Sequence, residues 1–250
     1  MIDIHAHILP GLDDGSDRTR TSLRMAELAV RFGVTDLIAT PHSNQRGRFE
    51  NYASEELRGQ FLRLKEVLRQ EKIDLRLHLG MEVYATSSMA ELYREGKLLT
   101  LADSRYLLME FGFHDDAYYM EHVLRDVLDT GVTPILAHPE RYKALQALPD
   151  ILVDWVRSGV HLQINKGSLS GFFGRDSFQL AVKMLDHDLA SFVASDAHRA
   201  DQRTPVLRDA YHWLASHYSE RRADRLLQQN PERVLRNEPL IECGAFPFQN

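Results

Sequence analysis

The feature that most constrains this chain is a rhythm. Short apolar, β-rich runs recur at fairly even intervals, and each is followed by a stretch with helical periodicity. Strands are expected near residues 2–6, 36–41, 75–82, 105–111, 132–138, 160–165 and 189–195. Between them, Thr19–Phe32 places Leu23, Ala26, Leu28, Ala29 and Phe32 at helical spacing, with Gly33 as a stop signal. Glu55–Gln70 repeats the pattern with Leu57, Phe61, Leu64, Val67 and Leu68, while Tyr118–Thr130 and Asp150–Ser158 end at Gly131 and Gly159. Parallel strands need a crossover of a dozen or more residues, so this alternation favours a parallel sheet. Seven such units in 250 residues predict an α/β fold whose strands form a closed or nearly closed barrel. No Ser/Gly-rich or Pro-rich linker interrupts it, so a single domain over 1–250 is expected. Beyond the last strand, residues 206–236 read as two helices, and the tail from Asn237 reads as irregular.

Composition removes several classes of function. Thirty Lys and Arg stand against 36 Asp and Glu, a net charge of −6, and no basic cluster is present to grip phosphate backbones. Nucleic acid is therefore not an expected partner. No window approaches the roughly 18 uninterrupted apolar residues of a membrane span, so no membrane insertion is expected. The segment Met1–His7 lacks the basic and apolar regions of a signal peptide, and a cytoplasmic location follows. The lone Cys243 permits no internal disulfide. No arginine follows it, as a cysteine-nucleophile phosphatase loop would require, so it is expected to be a bystander.

What stands out is where the ionisable residues fall. In α/β barrels, functional groups sit where strands end and the following loops begin. Here the first strand ends in His5-x-His7, with Asp13-Asp14-Gly15 in its loop, and the second in Ala39-Thr40-Pro41-His42. The third ends in Gly80-Met81-Glu82, the fourth in Met109-Glu110-Phe111, the fifth in Ala137-His138-Pro139-Glu140-Arg141 and the seventh in Ala194-Ser195-Asp196-Ala197-His198. Residues two apart on a strand share a side, so His5 and His7 can face the barrel mouth together, and Asp196 and His198 have the same spacing. Imidazole with carboxylate and no thiolate suits Zn²⁺, Mn²⁺ or Fe²⁺. The other seven histidines (His78, His114, His122, His161, His187, His212 and His217) are expected in ordinary core or surface roles.

The stretches Met-Ile-Asp-Ile-His-Ala-His-Ile-Leu-Pro-Gly-Leu-Asp-Asp-Gly at 1–15, Ala-Thr-Pro-His at 39–42 and Gly-Met-Glu-Val-Tyr at 80–84 resemble one known family. So do Ala-His-Pro-Glu-Arg-Tyr at 137–142, Gln-Ile-Asn-Lys-Gly-Ser-Leu at 163–169 and Ala-Ser-Asp-Ala-His at 194–198. The family is that of the bacterial polymerase-and-histidinol-phosphatase protein-tyrosine phosphatases of capsule and exopolysaccharide loci, the CpsB/CapC type. The resemblance implies a distorted seven-stranded (β/α) barrel and three divalent metal ions, Mn²⁺ foremost, with Fe²⁺, Zn²⁺, Mg²⁺ or Co²⁺ as alternatives. One ion would take His5, His7, Glu82 and Asp196; a second would share Glu82 and add Glu110 and His138; the third would take Asp14, His42 and His198. It also implies that Arg141 and Arg203 hold the phosphate. Ala6 departs from the Ser common between the two histidines, but it is not a ligand position.

Three divalent ions outweigh the four carboxylates and leave the site positive, which favours a phosphate dianion, whereas two ions would only cancel them. A metal-held hydroxide is the expected nucleophile, with Arg141 and Arg203 as bidentate donors. The expected substrate is the phosphorylated tail of a bacterial tyrosine kinase, releasing phosphate. The alternatives are a small-molecule phosphatase such as a histidinol-phosphate phosphatase, an amidohydrolase-type hydrolase, and a non-catalytic metal-stabilised module. Phe111, Phe113, Tyr118 and Tyr119 are expected as core and rim aromatics, some of them able to stack on a phosphotyrosine ring. Arg46-Gly47-Arg48-Phe49 reads as a solvated loop or a contact for an acidic peptide. Oligomeric state is left open, a homo-oligomer included.

Overall fold

A computed structural model describes residues 1–242 and 244–248; Cys243 lies outside the described residues. The order is β1 (Ile2–Ala6), α1 (Thr19–Arg31), β2 (Asp36–Ala39), β3 (His42–Ser43), α2 (Glu55–Gln70), β4 (Arg76–Leu79), β5 (Glu82–Tyr84), α3 (Met89–Arg94), β6 (Tyr106–Glu110) and α4 (Ala117–Leu128). There follow β7 (Thr133–Ala137), α5 (Lys143–Ala147), α6 (Ile151–Arg157), β8 (His161–Asn165), α7 (Lys166–Leu169), α8 (Arg175–Asp186), β9 (Ala190–Ala194), α9 (Arg208–His217), α10 (Glu220–Asp224) and α11 (Asn230–Leu235). A π-helical stretch, Arg225–Gln229, joins α10 to α11, so the expected pair of C-terminal helices is present and the second is distorted midway.

All strand pairs are parallel, as the rhythm predicts. The strands form a three-stranded sheet, β1-β2-β4, and a six-stranded sheet, β3-β5-β6-β7-β8-β9. Two strands expected to be continuous, 36–41 and 75–82, are each broken in two, and this is the main correction to the sequence reading. Around Pro41, which has no N–H for a ladder, the chain leaves the first sheet and re-enters as β3 in the second. Gly80 and Met81 do the same between β4 and β5. The last strand returns to the first: Ala6 bridges Ala197, and His7 N donates to Ala197 O at 2.8 Å.

Both faces of the larger sheet are apolar, which is why its strands read as continuous hydrophobic runs. Tyr106, Leu108, Ile135, Ala137, Phe192 and Ala194 join one core with Ile38, Val234 and Leu240. The alternate residues Leu107, Met109, Leu136 and Val193 join a second core with the helices. Ser54 caps α2 by accepting from Leu57 N, and Gly131 and Gly159 follow α4 and α6 at φ 83° and 104°, where glycine has no steric cost.

Strand register then places the site. Counting by twos along β6, the first core face continues from Leu108 to Glu110. Pairing of β3 with β5 sets His42 beside Glu82, and β5 with β6 sets Tyr84 beside Glu110. The buried Tyr142 links the ends of β6 and β7, its hydroxyl donating to Ala137 O at 2.9 Å and accepting from Phe111 N at 3.1 Å. Replacing Tyr142 with Phe leaves both backbone groups without this partner, and urea unfolding should register a loss of about 1–3 kcal/mol; an unchanged midpoint would show that the link carries no stability.

Candidate metal centre

Three of the residues that build the site sit in the left-handed region although none is glycine: His138 at φ 38°, Asp196 at 49° and Arg203 at 50°. Each ends or follows a strand that the apolar pattern carries up to it. Strain of this kind gathers where the fold forces a side chain into a working position. The turn at His138 aims its ring at Glu82, with Nε2 to Oε1 at 2.9 Å.

All nine expected ligands converge. Eight fall into three groups, within each of which the donor atoms lie within 4.8 Å of one another: His7, Asp14, His42 and His198; His5, His7 and Asp196; and His42, Glu82 and Glu110. The ninth, His138, touches Glu82 and comes within 3.8 Å of Glu110. The groups overlap at His7 and His42, so the histidines join the three-way partition rather than divide along it. His42 offers Nδ1 to Glu82 at 3.0 Å and Glu110 at 2.9 Å, and Nε2 to Asp14 at 3.4 Å.

The protons on these rings can be traced from behind. Asp13 can only accept, so its 2.7 Å contact with His7 Nδ1 puts the hydrogen there and leaves a lone pair on Nε2 of the neutral ring. Gln163 Oε1 does the same for His5 Nδ1 at 2.7 Å. The two Nε2 atoms then face each other at 3.2 Å, and each lies 3.2 Å from Glu82 Oε2. That oxygen is buried, and His42 Nδ1 stands 3.0 Å from it as well. Three imidazole nitrogens around one buried carboxylate oxygen are a donor set that fits a divalent cation.

Charge is arranged to match. Burial alone would raise the Glu82 carboxyl, yet His5 and His42 hold it well below the ordinary range. Asp196 is likewise depressed against burial, by His5, His7 and Arg203. Hydrogen bonds from His198 and His42 depress Asp14. Burial opposes a proton on His7, yet Asp13 raises it well above the usual value, and Glu82 and Glu110 do so for His42. Glu82, Asp196 and Asp14 are therefore ionised, and the surrounding acids favour protons on His7 and His42, whereas burial and the neighbouring His7 lower His198.

A cavity of about 540 Å³ opens over the cluster, with Glu82, Glu110, His138 and Asp196 in its lining, while His5 and His7 lie buried beneath it. Arg141 and Arg203 line the same cavity. Both reach Asp196 Oδ2, at 3.4 Å and 2.5 Å. Phe113 and Phe173 flank the Arg141 guanidinium, at 4.5 and 4.1 Å from the ring centroids. Arg46 and Arg48 complete the rim, and Phe49 stacks on His42 at 5.6 Å, so that loop does more than face solvent. Of the four aromatics singled out, Phe111 is buried in the core, Phe113 is on the cavity wall, and Tyr118 and Tyr119 are exposed away from it. The seven remaining histidines join none of the three groups.

Sequence reasoning missed the residues that hold the ligands. Gln163 orients His5, Asn165 donates to Asp196 Oδ2 at 2.6 Å, and Gln45 donates to Glu110 Oε1 at 2.8 Å. Gln163 and Asn165 are two apart on β8, whose end alone offers no His, Asp or Glu, and that gap was the available signal. Gly15 is needed for another reason: a Cβ there would lie 2.3 Å from His7 Cβ.

A parallel α/β scaffold with an imidazole–carboxylate cluster at its strand ends defines a barrel-related hydrolase. The family model of capsular polysaccharide synthesis proteins CpsB/CapC matches residues 1–236. The tyrosine-protein phosphatase YwqE of Bacillus subtilis is 35% identical over 249 residues, covering 100% of this chain and 97% of the relative. The tyrosine-protein phosphatase CpsB of Streptococcus pneumoniae is 33% identical, with 95% and 99% covered. A crystal structure from work on these two metal-dependent tyrosine phosphatases superposes with a TM-score of 0.92 at 33% identity, covering all of both chains. A β-aspartyl dipeptidase from Fervidobacterium islandicum, with a TM-score of 0.58, 15% identity, and 98% of this chain and 75% of that one covered, shares the fold alone. The chain belongs to the CpsB/CapC family, whose motifs its sequence resembles.

Replacing Gln163 with Leu removes the acceptor behind His5, and calorimetric titration should then find divalent-ion affinity lower by about 10–100-fold. An unaltered affinity would mean that His5 needs no such support. Because a bound ion would displace protons favoured on His7 and His42, whose titration is shifted upward, affinity should also rise with pH and continue to rise above the ordinary histidine range.

Proposed function

We propose that this protein is a metal-dependent protein-tyrosine phosphatase acting on a tyrosine kinase of polysaccharide synthesis. The observation that carries the reading is Asp196, which turns one oxygen to His5 and His7 and the other to Arg141 and Arg203. One carboxylate thereby joins an ion-binding cluster to two guanidinium groups at the mouth of a cavity. The match to relatives named as tyrosine phosphatases supports it along the full length. It favours this reading over a small-molecule phosphatase.

His5, His7, Asp14, His42, Glu82, Glu110, His138, Asp196 and His198 would hold the ions, with Mn²⁺ the first choice and three the proposed number. Bound there, divalent ions supply Lewis acidity toward phosphoryl oxygens and a water acidified to near neutrality. The chain's own contribution is positioning. Arg141, clamped between two rings, and Arg203 present planar donors that suit phosphoryl oxygens. Phe113, 41% exposed beside Arg141, offers an aromatic face to the substrate ring. A tyrosyl leaving group, with a pKa of about 10, departs with less protonation than an aliphatic alcohol. No helix of the described residues is long and apolar enough to cross a membrane, in keeping with a cytoplasmic site of action.

Assayed side by side, a phosphotyrosine peptide should be hydrolysed in clear preference to histidinol phosphate; the reverse order would overturn the choice of substrate. Chelation should abolish the activity and Mn²⁺ restore it, and an enzyme undiminished by chelator would defeat the scheme. Arg141→Ala and Arg203→Ala should each lower kcat/KM by roughly 10²-fold, as loss of a charge-stabilising donor does elsewhere. Full activity in both variants would remove the arginines from phosphate binding and reopen C–N bond hydrolysis.

A further inference from the structure

Behind the wall formed by Phe173 and Arg203 lies a second cavity of about 240 Å³ that the phosphatase reading does not use. Lys166 lines it, with Ser170, Thr204 and the exposed Phe172. The lysine is half-buried; burial works against its charge, while Asp3 and Asp209 act at longer range in its favour. Its hydrogen bond is a long one, Nζ to Thr204 Oγ1 at 3.4 Å, and it forms no ion pair with any carboxylate among the described residues. Asp201, also on the rim, is exposed and does not pair with it. Arg203 lines both cavities, and its buried Nε has no hydrogen-bond partner. Two cations thus line one space next to the wall of the main cavity, and Lys166 has only the one long hydrogen bond to occupy its three donors.

We propose that this cavity receives an anionic side chain, carboxylate or phosphate, from a residue flanking the phosphotyrosine, so that the enzyme selects tyrosine sites in acidic sequence. Arg203 spans the wall between the two sites, Phe172 gives the peptide an apolar surface to lie on, and Lys166 supplies the charge. The inference rests on the tyrosine-phosphatase reading. The two fail separately, because hydrolysis of a neutral phosphotyrosine peptide tests that reading alone.

The test is a set of phosphotyrosine peptides with Ala flanks in which one position at a time carries Glu or phosphoserine, scored as kcat/KM relative to the all-Ala peptide. In the Mn²⁺-loaded enzyme one position should show a preference of about five- to tenfold, of the size a charge-assisted contact gives. Lys166→Gln should erase that ratio. So should Ser170→Glu, which puts a carboxylate at the exposed rim and does not depend on how Lys166 packs. A preference for Glu or for phosphoserine alone supports the site and identifies its ligand. Absence of a preferred position in the wild-type enzyme, or a preference of unchanged size in both variants, would overturn it.

Discussion

Everything in this molecule is organised around a repulsion that the protein alone cannot relieve. Glu82 and Asp196 are ionised and buried, Glu110 lies nearly buried beside them with Asp14 on their flank, and histidine rings crowd the same centre. An uncompensated buried carboxylate costs several kcal/mol. Arg141 and Arg203 offset part of this at Asp196, and protons drawn onto His7 and His42 offset more. The remainder is charge that a bound cation would offset.

Such a centre requires a rigid surround. His5 and His7 leave β1 on one face, but their ring orientation comes from β8 through Gln163 and from the first loop through Asp13. Asp13 Oδ2 also accepts His42 N at 3.0 Å, tying the third strand segment to the same anchor. Glu140, fully buried, accepts from Asn165 N and the Ser168 hydroxyl, and so holds the turn after β7 against the end of β8. The ligands are thus cross-braced by neutral or shielded groups one layer out. Metal sites are commonly tuned in this way.

How much of this was legible in the sequence depended on whether a residue type announces its role. Amphipathic spacing announced the helices, and α2 occupies the residues its periodicity marks. Histidines and carboxylates at the ends of apolar runs announced the cluster, because nothing else makes such residues gather where a strand should simply stop. The breaks after β2 and β4 went unread, since Pro41 and Gly80 interrupt ladders without altering the apolar pattern. The left-handed turns at His138, Asp196 and Arg203 carry no glycine to mark them. Gln163 and Asn165 escaped for a related reason: an uncharged amide becomes informative only when the ring or carboxylate it holds is in view.

The acidity of the chain takes on a different meaning beside this geometry. A net charge of −6 would ordinarily repel a phosphorylated, acidic substrate, and field strength over a surface governs how fast a charged ligand arrives. Here four of the acids point inward at one cluster, whereas Arg46, Arg48, Arg141 and Arg203 stand at the cavity mouth. Bound cations would offset that inward charge, and the arginines would dominate what an approaching anion meets. The arginine wall and the imidazole–carboxylate floor are then parts of one electrostatic arrangement, joined at Asp196, whose two oxygens face the two halves.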